Sequence, residues 1–237
     1  MDFPLVYANG CSYSTPGKSR KVHANYVADQ VNGFLINNSI PGSCNRRIIR
    51  TSLYDIIEQK KINPTQKLIA LISLTFELRS ELWLENRVAE KEQESNFVTH
   101  TFAGHSPEIP HTKFSEKYSE GRAYYYSAYA ERINLLTDLI MFTAICNKYN
   151  VNYLIFQAPM AEKLEEEHLL DFFKKEIKKD TRILDLETFG FLDWACEKKF
   201  IPLDRLDSPE IGHYNSDAHE AFTQQVLMPK LAETGQL

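Results

Sequence analysis

The stretch from Lys67 to Leu74, Lys-Leu-Ile-Ala-Leu-Ile-Ser-Leu, is apolar at nearly every position. A half-exposed strand alternates apolar and polar residues, so a continuous run of this length belongs to a strand covered on both faces, as in a parallel sheet between helices. The same demand recurs along the chain. Phe3 to Asn9 reads as a buried strand, Gly10 to Gly17 as a turn, and Ala24 to Val31 as a helix. Gly33 to Ser39 is strand-like, Ile40 to Asn45 is a polar turn, and Arg46 to Glu58 carries the helical recurrence Ile49, Leu53, Ile56, Ile57. Val151 to Gln157 makes a fourth strand and Arg182 to Leu186 a short fifth. Further helices are predicted over about Tyr124 to Asn147, Ala161 to Lys178 and Ser216 to Leu231. Strands alternating with helices predict a three-layer α/β domain with right-handed crossovers and its active groups outside the carboxyl ends of the strands.

At 237 residues the chain reads as one domain, 1–237, with a charged and polar excursion over about 76–121. That excursion is either a solvated decoration or a lid contacting substrate. Against 27 Lys and Arg stand 32 Asp and Glu, a formal charge of -5, and the Arg46, Arg47 and Arg50 patch is small. The balance argues against a nucleic-acid partner and against an anionic membrane. The apolar runs fall well short of the roughly eighteen residues that span a bilayer. The first residues lack a basic n-region and a long apolar h-region, so the expected location is cytoplasmic. Cys11, Cys44, Cys146 and Cys196 lack CxxC spacing and read as packed free thiols, with no metal or organic cofactor expected.

Ser12 follows the first strand in Asn9-Gly10-Cys11-Ser12-Tyr13-Ser14, where its hydroxyl would reach the edge of a cleft. A serine after a strand also caps a helix or fills a turn, and both roles are open here. A nucleophilic serine needs a base within hydrogen-bond reach, a group that fixes the base's tautomer, and donors aimed at the developing oxyanion. Near the other end of the chain, Glu210-Ile-Gly-His213 places a carboxylate three residues before an imidazole on a turn entering a helix. Glu210 would take the Nδ1 proton and leave Nε2 as base. His219 falls within the following helix, where packing suits it better.

These blocks, in this order, resemble the SGNH hydrolase superfamily, the GDSL esterases and lipases. Gly10-Cys11-Ser12-Tyr13-Ser14 resembles its first block, which assigns Ser12 as nucleophile, with Cys11 where the family has Asp. Asn38 to Asn45 resembles the second, which makes the Gly42 N–H an oxyanion donor beside the Ser12 N–H. Glu210-x-x-His213 with His219 resembles the last, with Tyr214 and Ala218 where Pro and Gly are common. The third block matches least. In Ile72 to Arg79, Thr75 stands near the family's Asn donor and would replace it, or satisfy a local carbonyl. Arg79 would contact an anionic or polar substrate, or pair with Glu77, Glu81 or Glu85. Asn45, Arg79 and Tyr13 are the candidates for substrate contact.

The resemblance implies an α/β/α sandwich with a flavodoxin-like parallel sheet of about five strands. It implies a serine esterase working through an acyl-enzyme, with Ser12, His213 and Glu210 catalytic and Ser12, Gly42 and Thr75 forming the oxyanion hole. The expected partner is a small polar ester or an acylated glycan. The alternatives are a catalytically inactive carbohydrate-binding or interaction protein on the same fold, and an O-acyltransferase. Oligomeric state is left open.

Overall fold

The computed structural model describes residues 3–17, 20–76, 79–83, 97–101, 127–159, 164, 167–204 and 212–237, without the side chains of 80–83 and 97–101. Four parallel strands form the central sheet: β1 (Leu5–Asn9), β2 (Phe34–Asn37), β3 (Leu68–Leu74) and β6 (Asn152–Gln157), in the order β2-β1-β3-β6. The register pairs Leu5 with both Phe34 and Leu68, and Ile69 with Asn152. All seven residues of β3 are buried, which is what its unbroken apolar sequence requires of a central strand.

Helices cover both faces, and the period of two decides which residues meet which helices. Val6, Ala8, Ile69, Leu71, Leu154 and Phe156 face one core with α1 (His23–Gln30), α5 (Phe191–Glu197) and the C-terminal helical run. That run is α6 (Ser216–Phe222), a π-turn over Thr223–Leu227 and α7 (Met228–Glu233). Tyr7, Ala70, Ile72, Tyr153 and Ile155 face the other core with α2 (Asn45–Ile62), α3 (Ala128–Lys148) and α4 (His168–Lys178). Each such aliphatic side chain stabilises the fold by about 1.5–3 kcal/mol when fully buried.

The expected fifth strand is reduced to isolated bridges, Ile155 to Ile183 and Gln157 to Gly190. Side chains take the backbone donors that a ladder would use. Asp180 Oδ1 accepts from the Arg182 N–H at 3.0 Å, and Asp185 Oδ1 accepts from the Glu187 and Thr188 N–H groups at 2.9 and 3.3 Å. These local turns bend the chain on either side of the bridge. Within the excursion, β4 (Arg79–Trp83) and β5 (Phe97–Thr101) pair antiparallel as a separate ribbon. The rest of 76–121 lies largely outside the described residues, as do Tyr124, Tyr125 and Tyr126. Among the described residues no helix is long and apolar enough to cross a membrane.

Candidate active site

Three turns leave the carboxyl ends of β1, β2 and β3, and side chains stitch them together. Asn9, fully buried, accepts from the Gly10 N–H through Oδ1 and places Nδ2 at 2.8 Å from Thr51 Oγ1 and 3.0 Å from Ser52 Oγ of α2. Asn37 Nδ2 donates to the Ser14 carbonyl at 3.0 Å, and the Ile40 N–H donates to the Gly10 carbonyl at 3.2 Å. The turn carrying Ser12 is therefore fixed against the turn carrying Gly42. Gly42 has φ +82°, a left-handed conformation that favours glycine. Among the described residues a methyl group there would meet nothing within 4 Å. Among the described residues neither the Ser12 N–H, the Gly42 N–H nor Ser12 Oγ finds a hydrogen-bond partner.

The end of β3 is closed rather than open. Thr75 is fully buried; its N–H donates to Asn45 Oδ1 at 2.7 Å and its carbonyl accepts from Asn45 Nδ2 at 3.0 Å. Its hydroxyl accepts from Arg79 Nη1 at 3.0 Å, and the same nitrogen reaches the Ser43 carbonyl at 3.4 Å. Asn45 thus spends its amide on the backbone of Thr75, and Thr75 sits as a brace beneath Arg79. Cys44, read as packing, is buried and caps α2 by accepting the Arg47 N–H on Sγ at 3.4 Å.

The far end of the chain returns to this edge. The Leu203 N–H donates to the His213 carbonyl at 2.6 Å, and Pro202 bridges Tyr214, so two short segments run side by side. Gly212 permits this approach, because a Cβ there would lie 2.6 Å from Pro202 Cβ and 2.8 Å from the Asp204 carbonyl. Asp204 then holds His213 twice: Oδ1 accepts its backbone N–H at 2.7 Å, and Oδ2 lies 2.8 Å from Nδ1. The imidazole lies on the buried ring of Tyr13, centroids 5.0 Å apart and planes 30° apart. Tyr13 is the neighbour of Ser12, so both remote ends meet at one edge. No hydrogen bond joins Ser12 Oγ to His213 among the described residues.

Glu210 lies outside the described residues, and the carboxylate on Nδ1 is Asp204. The sequence offered little to single it out, since eight residues lie between it and His213, and it is the pairing of Pro202 and Leu203 with His213 and Tyr214 that brings them together. Tyr13, read as a substrate contact, is almost wholly buried and packs beneath the imidazole. Arg20, given no role from sequence, donates through Nη2 to the carbonyls of Ser12, at 3.0 Å, and of Thr15.

Behind the site, His23 of α1 and His219 of α6 face each other with Nδ1 atoms 3.4 Å apart, both fully buried. Phe191 stacks on His219 at 4.6 Å and Phe156 meets His23 edge-on at 5.0 Å. Burial pushes His23 down to about 3, with the Arg20 charge adding to it. Burial also holds His219 well below the usual imidazole range, followed by the charges of His23, Arg20 and His213. Both rings are neutral and serve as packing. Among the described residues no cluster of His, Cys, Asp or Glu is arranged to hold a metal ion.

No family model matches the chain, and no curated protein does. Among solved structures it is similar to a Parabacteroides merdae protein provisionally called a GDSL-like lipase, at 12% identity and TM-score 0.44, covering 99% of this chain and 96% of that one. It is also similar to the psychrotrophic esterase EstA of a Pseudoalteromonas species, inhibited by monoethylphosphonate, at 11% identity and TM-score 0.47, covering 98% and 99%. Both scores lie below 0.5, so neither likeness carries an argument about chemistry, which rests on the geometry above.

Proposed function

We propose that this chain is an SGNH-type serine hydrolase that cleaves an ester, with an O-acyl group on a carbohydrate or another small polar molecule as substrate. The observation that carries the reading is an imidazole held by a carboxylate at Nδ1 and laid on Tyr13, the chain neighbour of a serine whose hydroxyl and N–H are both unpartnered among the described residues.

In the proposed cycle Ser12 Oγ attacks the acyl carbon while His213 Nε2 takes its proton. Asp204 fixes the tautomer that leaves Nε2 unprotonated and stabilises the imidazolium that forms. The Ser12 and Gly42 N–H groups donate to the tetrahedral oxyanion and stabilise its charge, a two-donor hole without the expected third donor Thr75. Thr75 acts through Arg79, whose guanidinium it anchors at the rim, where a polar or anionic substituent of the substrate would meet it. His213 then protonates the leaving alcohol and activates water to release the acyl group. The Ser12 to His213 hydrogen bond closes when substrate is seated, as catalytic hydrogen bonds commonly do.

The missing bond is also what a non-catalytic carbohydrate-binding protein on this fold would show, so the two readings need one decisive measurement. A fluorophosphonate probe should label wild-type protein on Ser12, and Ser12→Ala should abolish labelling. Equal labelling of the variant, or no labelling of the folded wild type, would end the hydrolase reading. Product analysis with a sugar acceptor present separates hydrolysis from acyl transfer.

A further inference from the structure

The central sheet has two edges, and among the described residues they are treated differently. Outside β6 the following chain bonds to the strand: the Ile155 N–H donates to the Arg182 carbonyl at 3.0 Å, and the Leu184 N–H to the Ile155 carbonyl at 2.9 Å. Nothing comparable lies outside β2. The Phe34 N–H donates to the Pro4 carbonyl at 2.9 Å and the Asn38 N–H to the Ala8 carbonyl at 2.9 Å. Alternate residues of a parallel ladder face the neighbouring strand, so residues 34, 36 and 38 bond to β1. Leu35 and Asn37 turn their N–H groups and carbonyls outward, where no described residue meets them. Gly33 to Ser39 carries no charge and no proline, the devices that usually guard a free edge.

Large apolar side chains stand exposed along this edge. Phe34 is 62% exposed and Phe3 43%, with their rings edge to face at 5.8 Å. Phe34 shares the face of Ile36, the α2 side of the sheet. A flank of α2 turns toward the same edge, because Asp55 accepts from the Tyr7 hydroxyl at 2.8 Å and from Asn38 Nδ2 at 2.7 Å. Tyr54, next to Asp55, and Ile62, seven residues on from it, are 67% and 77% exposed.

We propose that β2 pairs with β2 of a second copy of this chain, antiparallel about a two-fold axis through Ile36, so that two four-stranded sheets become one. This register sets Leu35 opposite Asn37 of the second copy and Asn37 opposite its Leu35, and the hydrogen bonds they exchange use every outward group of the strand. An axis through Leu35 would instead oppose Asn37 to Gly33, whose N–H is already given to the Ala28 carbonyl at 2.8 Å. The axis stands perpendicular to the sheet and keeps its faces, so α2 of one copy comes to lie beside α2 of the other. The strip of Phe3, Phe34, Tyr54 and Ile62 then meets its own image. Its exposed parts amount to roughly 500 Å² per copy, more than half of the ~800 Å² that each partner buries in a standard interface. The edge backbone and the α2 flank supply the remainder. With β6 covered, an edge that pairs with itself closes the assembly at two copies.

Sedimentation velocity over a wide range of protein concentration reads the assembly. The wild type should run as a dimer in exchange with monomer, with nothing larger. Phe34→Lys places a charge on an exposed position of the edge and removes a ring from each side of the seam, which should raise the dissociation constant about a hundredfold. Circular dichroism confirms that the variant is folded. Phe172→Lys, at a comparably exposed ring on α4, should leave the dimer as it is. Ile36→Cys tests the register. Residues opposite each other in a non-hydrogen-bonded antiparallel pair have Cα atoms about 4.5 Å apart, within reach of a disulfide. In a Cys196→Ser background, mild oxidation should therefore join two copies through position 36, as mapped by mass spectrometry. A wild type that stays monomeric at every concentration, or one that assembles beyond two copies, would overturn the proposal. So would a dimer that survives Phe34→Lys, one that Phe172→Lys breaks as readily, or a failure to cross-link at position 36. None of these readouts involves Ser12, so the pairing stands or falls apart from the hydrolase reading.

Discussion

Two arginines stand at opposite ends of the sheet in clusters of similar composition and opposite completeness. At the amino end of β6, Arg182 donates through Nε and Nη2 to the two oxygens of Asp180, each at 2.8 Å, and through Nη1 to Asn147 at 2.9 Å. It also lies 4.0 Å above the ring of Tyr153, whose hydroxyl donates to Asp180. A cavity of about 550 Å³ opens there, yet the polar cluster beside it has satisfied itself. At the carboxyl end, Arg20 donates to two carbonyls of one loop, and on the neighbouring turns the Ser12 hydroxyl and the Ser12 and Gly42 N–H groups have no partner among the described residues. The first cluster is built on a pair two apart in sequence, Asp180 and Arg182, closed by Asn147 and Tyr153 within about 35 residues, whereas the second brings together segments about two hundred apart. A completed polar cluster holds structure; an incomplete one, assembled from distant segments, offers capacity to a ligand.

Exchanging the carboxylate on His213 should produce the largest effect. Asp204→Asn keeps the shape and reverses the hydrogen-bond sense toward Nδ1, favouring the wrong tautomer. Labelling of Ser12 should fall on the order of 10²- to 10⁴-fold. Asp204 is half-exposed, so the unfolding midpoint should barely change. Glu210→Gln should leave the rate within tenfold. The opposite ranking would return the orienting role to Glu210 and undo the contrast between the two clusters.

Acid should weaken the carboxyl end first. His23 and His219 are neutral in the folded protein, with His23 held near 3 and His219 well below its ordinary value, against about 6.5 for an unfolded imidazole. The unfolded chain therefore binds more protons. The stability these groups contribute is complete above about pH 6.5 and is lost as pH falls toward about 3, at up to about 1.4 kcal/mol per pH unit for each proton taken up. His23→Phe, which suits the aromatic surroundings, should flatten that slope by about one proton in urea unfolding followed from pH 7 to 4.5. A slope that is unchanged in the variant would place the acid sensitivity elsewhere.

Much of this architecture is legible in the chain because burial on two faces leaves a continuous apolar signature. Lys67 to Leu74 shows it, and β3 is where that run said it would be. The turns that carry Ser12, Gly42 and His213 were legible because each follows a strand or enters a helix in a short motif. Arg182 to Leu186 misled, because Asp180 and Asp185 offer the backbone side-chain acceptors that compete with a ladder, and propensity does not weigh that competition. Asp204 was illegible for a different reason. Its partnership depends on a bridge between Pro202 and Tyr214 and on the missing side chain of Gly212, and neither leaves a periodic trace.

The smallest effect should come from the amino end, and it sharpens the contrast by being confined to stability. Asp180→Asn removes the acceptor of the bidentate pair and leaves Arg182 and the Tyr153 hydroxyl short of a charged partner in a partly buried place. Losing hydrogen bonds to a charged group costs about 1.5–3 kcal/mol, with the lower figure expected here because Asp180 retains some solvent contact. The Asp180 carboxyl lies below its usual range because its hydrogen bonds from Arg182 and Tyr153 outweigh the upward push of burial. Its contribution is therefore still present near pH 4, where that of the buried histidines has already been largely lost, and declines only in stronger acid. Urea unfolding of Asp180→Asn at pH 7 should show the loss while the labelling rate of Ser12 stays within twofold of wild type. A tenfold fall in labelling would mean that the two ends of the sheet are coupled, and that the closed cluster around Arg182 does more than hold β6 to the chain that follows it.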